Sequence, residues 1–118
     1  MTRSAEPSSL VVGLDVPASV GMPLDEIATP ALIVDLDAFE YNVETLRRRL
    51  TAAGVRLRAH SKTHKSVPIA RYQIEHGGAC GICCQKVSEA EVMVAGGIQD
   101  VMVSNQVTDP AKVNRLAS

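Results

Sequence analysis

Four residues at alternate positions hold most of the chemistry this sequence offers. Arg56, Arg58, His60 and Lys62 are interleaved with Leu57, Ala59 and Ser61. On an extended strand, alternate side chains share a face. The spacing therefore sets a row of polar, mostly cationic groups opposite Val55, Leu57, Ala59 and Ser61. Such a row is costly to bury without anionic partners, and a bound phosphate or carboxylate would balance it. Lys62 is last in the row. Neighbouring cations and partial burial lower a lysine's pKa and expose the neutral amine that Schiff-base chemistry needs. The plain alternative is a surface lysine in a loop. Thr63, His64 and Lys65 add polar groups at the turn that follows, where the amino end of a helix favours anions.

The other candidate groups point elsewhere. Cys80 and Cys83 have the Cys-x-x-Cys spacing, but on a strand an offset of three sends them to opposite faces. With Cys84, they read as small buried hydrophobes rather than a redox or zinc pair. His60 and His64 are four apart, a metal spacing on a helix, yet they straddle a strand end. Met93 and Met102 read as core filler.

These residues need elements to position them. Residues 1–28 are irregular, broken by Pro7, Gly13, Pro17, Gly21 and Pro23. They form an N-terminal arm with at most one short strand at Leu10–Leu14. Ala31–Leu36 is a β-branched apolar run that suggests a buried strand. Asp37 then caps a helix, with Glu40 three positions on, and Phe39, Val43, Leu46 and Leu50 make one helical face. Arg47, Arg48 and Arg49 suit its carboxyl end, and Gly54 stops it. A second strand covers Val55–Lys62. A helix from about Ser66 to His76 carries Pro68 in its first turn and ends at Gly77. The third strand is Ala79–Cys84. Ser88 and Glu91 form the capping box of the next helix, with Val87 and Val92 as its staple, and Gly96-Gly97 stops it. Asp100–Asn105 is the fourth strand, and Asp109-Pro110 opens a fourth helix.

The strands begin near 31, 56, 79 and 100, in steps of 25, 23 and 21 residues. Four successive βα units of similar length imply parallel strands with right-handed crossovers. No Gly-x-Gly-x-x-Gly follows a strand, so a dinucleotide fold has no support. The fold class is α/β, a partial (β/α)8 TIM-type barrel of about four units. A complete barrel takes eight units and about 250 residues. The chain therefore reads as the front portion of a larger protein, with residues 1–28 as the arm and 29–118 as the first half of a barrel.

Composition narrows the function classes. The 118 residues carry 12 Lys plus Arg and 13 Asp plus Glu, a net charge of −1, with 3% aromatic residues. That balance argues against nucleic acid, which leaves a basic footprint and uses aromatic platforms. No apolar run approaches the ~20 residues of a membrane span, and no signal-peptide core is visible. Three close cysteines make a poor disulfide framework, so a reducing cytoplasm is expected.

Three segments carry a resemblance: Thr29-Pro30-Ala31-Leu32-Ile33-Val34-Asp35-Leu36-Asp37, Arg58-Ala59-His60-Ser61-Lys62-Thr63-His64-Lys65, and Gly81-Ile82-Cys83-Cys84-Gln85-Lys86-Val87-Ser88-Glu89-Ala90-Glu91. Over residues 21 to 118 the chain resembles the D-threonine aldolase and 3-hydroxy-D-aspartate aldolase family. These are fold-type III pyridoxal-phosphate enzymes with an alanine-racemase-like N-terminal barrel. Gly21 to Ile27 resembles the 3-hydroxy-D-aspartate branch more closely. Relatives often have Pro where this chain has Ala59, on the helix-facing side.

The resemblance implies that Lys62 is catalytic and binds pyridoxal 5'-phosphate, with His60, Gln85 and Asn105 as further cofactor-binding residues. It implies metal-activated cleavage of a D-3-hydroxy amino acid, 3-hydroxy-D-aspartate or D-threonine, to glycine and an aldehyde. The divalent metal (Mn, Mg or Zn) would take its ligands from a C-terminal β-domain that this chain lacks, so the chain alone is expected to be inactive. The expected partner is a small D-amino acid, with neither nucleic acid nor membrane, and a homodimer is left open. Rival readings on the same scaffold are a D-serine dehydratase-type lyase and a non-catalytic pyridoxal-phosphate carrier.

Overall fold

A computed structural model describes residues 10–118. The chain divides into two compact units after Asp35.

Residues 10–35 hold one short 3-10 turn, Leu24–Glu26. The expected strand at Leu10–Leu14 is a turn instead. Gly13 takes φ +85, the Val11 carbonyl accepts the amides of Leu14 and Asp15, and the Asp15 carboxylate accepts the Val11 amide at 2.9 Å. A glycine in the left-handed region beside an aspartate that bonds the local backbone makes a loop. Ala31–Leu36 is not the expected buried strand either. No residue from 31 to 35 belongs to the sheet, and Leu32 is 81% exposed. A strand exists through ladder bonds to a neighbour, and this run lies outside the ladders that define the sheet. Residues 1–9 of the expected arm lie outside the described residues.

The second unit alternates helix and strand. Its elements are α1 (Leu36–Ala52), β1 (Leu57–His60), α2 (Val67–Glu75), β2 (Ala79–Cys84), α3 (Val87–Ala95), β3 (Val101–Val103) and α4 (Pro110–Ala117). The strands form one parallel sheet in the order β1-β2-β3, the arrangement that repeated βα crossovers require.

Four helix starts show how local chemistry sets boundaries. α1 begins at Leu36, so Asp37 lies inside the first turn, where its charge suits the dipole. The residue before Leu36 is Asp35, itself a good cap type. α3 begins two positions earlier than a Ser88 cap would give. The Glu89 carboxylate already accepts the Gln85 and Lys86 amides, at 2.9 and 3.3 Å, which leaves Ser88 in the first turn and buries Val87 within the helix. α2 and α4 begin as expected, with Ser66 accepting from Ile69 N and Asp109 from Ala111 N and Lys112 N.

One face of the sheet packs under the helices. Ala59, Ala70, Ala79, Ile82, Cys84, Ala90, Met93 and Ile98 form the core. Small side chains let α2 and α3 lie close to the sheet, and burying Ile82 and Met93 contributes about 1.5–3 kcal/mol each. Burial pushes the Cys84 thiol pKa up, partly offset by its contact with Ser61. Two expected core residues lie outside. Met102 is 45% exposed because alternation turns it to the other face of β3. Cys80 is exposed because the register slips there: Leu57 pairs with Ala79 and Arg58 with Gly81, leaving Cys80 as the extra residue of a bulge. Among the described residues, no helix is long and apolar enough to cross a membrane.

Candidate active site at the strand ends

The face away from the core carries the polar row, and the structure gives its lower members an internal partner. Arg58 reaches across β2 to Asp100, with its guanidinium nitrogens 2.7 and 2.8 Å from the two carboxylate oxygens. It can cross because Gly81, its partner in register, has no side chain. A Cβ there would lie 2.4 Å from the Arg58 guanidinium and 2.7 Å from the Asp100 carbonyl. Asp100 therefore supplies the anion that a ligand was expected to bring to Arg58. The hydrogen bond to Arg58 holds the Asp100 carboxyl below the usual carboxylate range. Asp100 is the site neighbour that the sequence reading missed. Its signal was an acid opening one strand, two strands from an arginine, with a glycine between.

Above this pair, β1 ends in a turn that presents Lys62. Ser61 is buried and anchors it. The Ser61 amide donates to the Cys83 carbonyl at 2.8 Å, and its hydroxyl donates to the same oxygen at 3.2 Å and meets Cys84 Sγ at 3.3 Å. His60 is half-buried, and its Nδ1 accepts the Lys62 amide at 3.2 Å. A neutral His60 therefore carries its proton on Nε2. Lys62 is exposed rather than partly buried, because the turn lifts it beyond the last ladder bond. Among the described residues its ammonium makes no salt bridge.

His64 turns the other way, toward α2. Its Nδ1 accepts the Ser66 amide at 3.0 Å. Burial pushes its pKa down against the opposing effect of Gln73 and Ser66. The chain then passes through Lys65 at φ +51.

Gln85 lies one residue past the end of β2 and Asn105 two residues past the end of β3. Both are exposed and line one cleft of about 400 Å³, with Ser88, Thr108 and Lys112. Neither Lys62 nor His60 lines that cleft. The β1–β2 register ends with His60 opposite Cys83, and the chain then turns through residues 61–64. The β2–β3 register ends with Cys84 opposite Val103, which sets Ser104 rather than Asn105 beside Gln85. Ser104 is committed to the Cys84 carbonyl through both its amide and its hydroxyl.

The fold and this row of polar strand ends define a segment of a (β/α) barrel whose site lies at the carboxyl ends of its strands. The chain belongs to the alanine racemase N-terminal domain family, whose family model matches residues 34–118. It is 50% identical over 117 residues to the 3-hydroxy-D-aspartate aldolase of Paracoccus denitrificans strain Pd 1222, covering 99% of this chain and 30% of that protein. It superposes on the crystal structure of D-threonine aldolase from Filomicrobium marinum with a TM-score of 0.82 at 52% identity, covering 86% of this chain and 27% of that one. The D-threo-3-hydroxyaspartate dehydratase from Delftia sp. HT23 follows at a TM-score of 0.70 and 37% identity, covering 77% and 24%. The chain thus spans about 30% of the length of the curated relative it matches. The family resemblance and the parallel α/β architecture expected from the sequence are both found.

Proposed function

We propose that this chain is the N-terminal part of a pyridoxal-phosphate-dependent lyase that cleaves a D-3-hydroxy amino acid, 3-hydroxy-D-aspartate or D-threonine, to glycine and an aldehyde. The observation that carries the reading is Lys62, an exposed amine just past the carboxyl end of β1 that makes no salt bridge among the described residues, in a chain 50% identical over 117 residues to a 3-hydroxy-D-aspartate aldolase.

The residues present fit the cofactor's covalent anchor. Lys62 is exposed in the turn that follows β1, so its Nζ can reach an aldehyde. Bound there, pyridoxal phosphate would supply the electron sink that carbon–carbon cleavage requires. His60 orients the lysine by accepting its amide, and the Nε2–H this leaves can donate to an acceptor. Gln85, just past the end of β2, offers an amide side chain that can both donate and accept. Asn105, two residues past the end of β3, lines the cleft with Gln85 and would border the substrate's side. A small D-amino acid is the proposed partner, and a homodimer is an open part of this proposal.

The residues present do not fit a divalent metal. Among the described residues, no three His, Cys, Asp or Glu side chains gather as a metal site needs. Any metal the reaction uses would be held by residues other than the described ones.

A second reading has its own observation, the likeness to a D-threo-3-hydroxyaspartate dehydratase. Elimination would use the same lysine and give a 2-oxo acid and ammonia. The test is product analysis of the full-length protein that contains this chain, with D-3-hydroxy amino acids and D-serine as substrates. Glycine and an aldehyde support the aldolase. An oxo acid without glycine supports the dehydratase. Cofactor bound with no turnover supports a carrier.

A further inference from the structure

One carboxylate bridges the two turns that carry Lys62 and Gln85. Glu89 lies in the first turn of α3 with its side chain 12% exposed. Its Oε2 accepts the Gln85 amide at 2.9 Å and the Lys86 amide at 3.3 Å. Its other oxygen, Oε1, lies 3.6 Å from Lys65 Nζ. Lys65 closes the turn that presents Lys62. Its amide donates to the Ser61 carbonyl at 2.8 Å, and its backbone sits at φ +51, a conformation that non-glycine residues adopt only when their surroundings hold them there. The turn that carries Lys62 is thus held by two anchors, Ser61 bonded to Cys83 of β2 and Lys65 paired with Glu89 of α3. Only the second anchor runs through a side chain that also fixes Gln85.

We propose that Glu89 is a positioning residue that, through Lys65, fixes the turn presenting Lys62 against the turn that carries Gln85. The proposal rests on the reading of Lys62 as the pyridoxal-phosphate anchor. The two arms of Glu89 are unequal. The arm to the amides is short and sheltered, and charge-assisted hydrogen bonds of this kind are strong. The arm to Lys65 is longer, and Lys65 is 63% exposed, so that arm contributes little to stability. Its role is to select one arrangement of the turn.

Two variants separate the arms. Glu89→Gln keeps an oxygen for the Gln85 and Lys86 amides but loses the charge that attracts Lys65. Lys65→Met removes the ammonium and leaves the amide arm intact. The first readout is amide hydrogen exchange without added cofactor. Segment 62–66 should exchange about 3- to 10-fold faster in each variant, with α3 and the sheet unchanged. The second is the dissociation constant for pyridoxal phosphate, followed by absorbance and borohydride trapping, which should rise several-fold in each variant. The double variant should be no worse than the single ones, as expected for residues acting through one contact. Unchanged exchange in segment 62–66, or additive losses of affinity, would overturn the positioning role and leave Lys62 as anchor. Trapping that persists in Lys62→Ala would overturn the anchor, and the positioning role with it.

Discussion

Replacing Gly81 with alanine should destabilise the sheet through one identifiable contact. Its backbone is not in the left-handed region, so the cost is steric rather than conformational. The new Cβ would lie 2.4 Å from the Arg58 guanidinium, 2.7 Å from the Asp100 carbonyl oxygen and 2.8 Å from Asp100 Cγ, where ordinary contact begins at 3.4 Å. The shortfalls are 1.0, 0.7 and 0.6 Å. The first can be relieved cheaply, because it involves the far end of a flexible side chain. The second cannot, because the Asp100 carbonyl accepts the Ile82 amide at 2.9 Å within the sheet. Relief there must stretch a hydrogen bond between β2 and the start of β3. Overpacking of this kind costs about 1–3 kcal/mol, and weakening the hydrogen bond adds about 0.5–1.5 kcal/mol. Disturbing the Arg58–Asp100 pair adds little, because Asp100 is 58% exposed.

The expected loss is therefore about 2–3 kcal/mol, a fall in melting temperature of roughly 10–20 °C for a domain of this size. Urea denaturation followed by circular dichroism measures it. Gly54→Ala is the control, since Gly54 has φ +65 and nothing within 4 Å of a Cβ, which leaves a backbone cost of about 1 kcal/mol. Arg58→Ala alone should leave the midpoint nearly unchanged, and adding it to Gly81→Ala should rescue little. If Gly81→Ala stays within about 0.5 kcal/mol of the parent protein, or if Arg58→Ala restores it, the backbone clash is not the cause.

Further outcomes follow from the same geometry. Ser61→Ala removes the buried hydroxyl that donates to the Cys83 carbonyl and should cost about 1 kcal/mol, read as a lower urea midpoint with an unchanged slope. His64 is held below its ordinary pKa of 6.5 by burial. Its contribution is complete above about pH 6.5 and falls as the pH drops toward the folded value, because the unfolded state binds the proton more readily. Stability measured from pH 8 to pH 5 should decline below that point, and His64→Gln should flatten that part of the curve. The Asp100 carboxyl is also depressed, by Arg58, so its contribution is present above the ordinary aspartate range and lost as the pH falls through its folded value. Arg58→Gln should remove that acid-side loss in a titration carried on below the ordinary aspartate range, from about pH 5 to about pH 2.

The repeat of βα units was legible because periodicity reports burial on one face, and that burial is local to each unit. The Ala79–Cys84 strand and the Asp109-Pro110 helix start show this directly. The Ala31–Leu36 run was misread because its apolar pattern signals a buried strand, whereas strand formation also depends on partners far along the chain. Cys80 was misplaced because alternation assumes an unbroken register, and the bulge shifts it by one residue. At the site, the alternation of Arg58, His60 and Lys62 was readable. Their partners were not, since Asp100 lies 42 residues from Arg58. The Glu89 bridge was hidden because a first-turn glutamate looks like ordinary capping until the position of Lys65 is known.

The central claim is that Lys62 is the amine that takes the cofactor. The most direct measurement is to incubate the protein with pyridoxal phosphate, reduce it with borohydride, digest it and locate the added mass by peptide sequencing. The account predicts one labelled lysine, Lys62, and no label in Lys62→Ala. Label on Lys65 or Lys86 with Lys62 unmodified would contradict it.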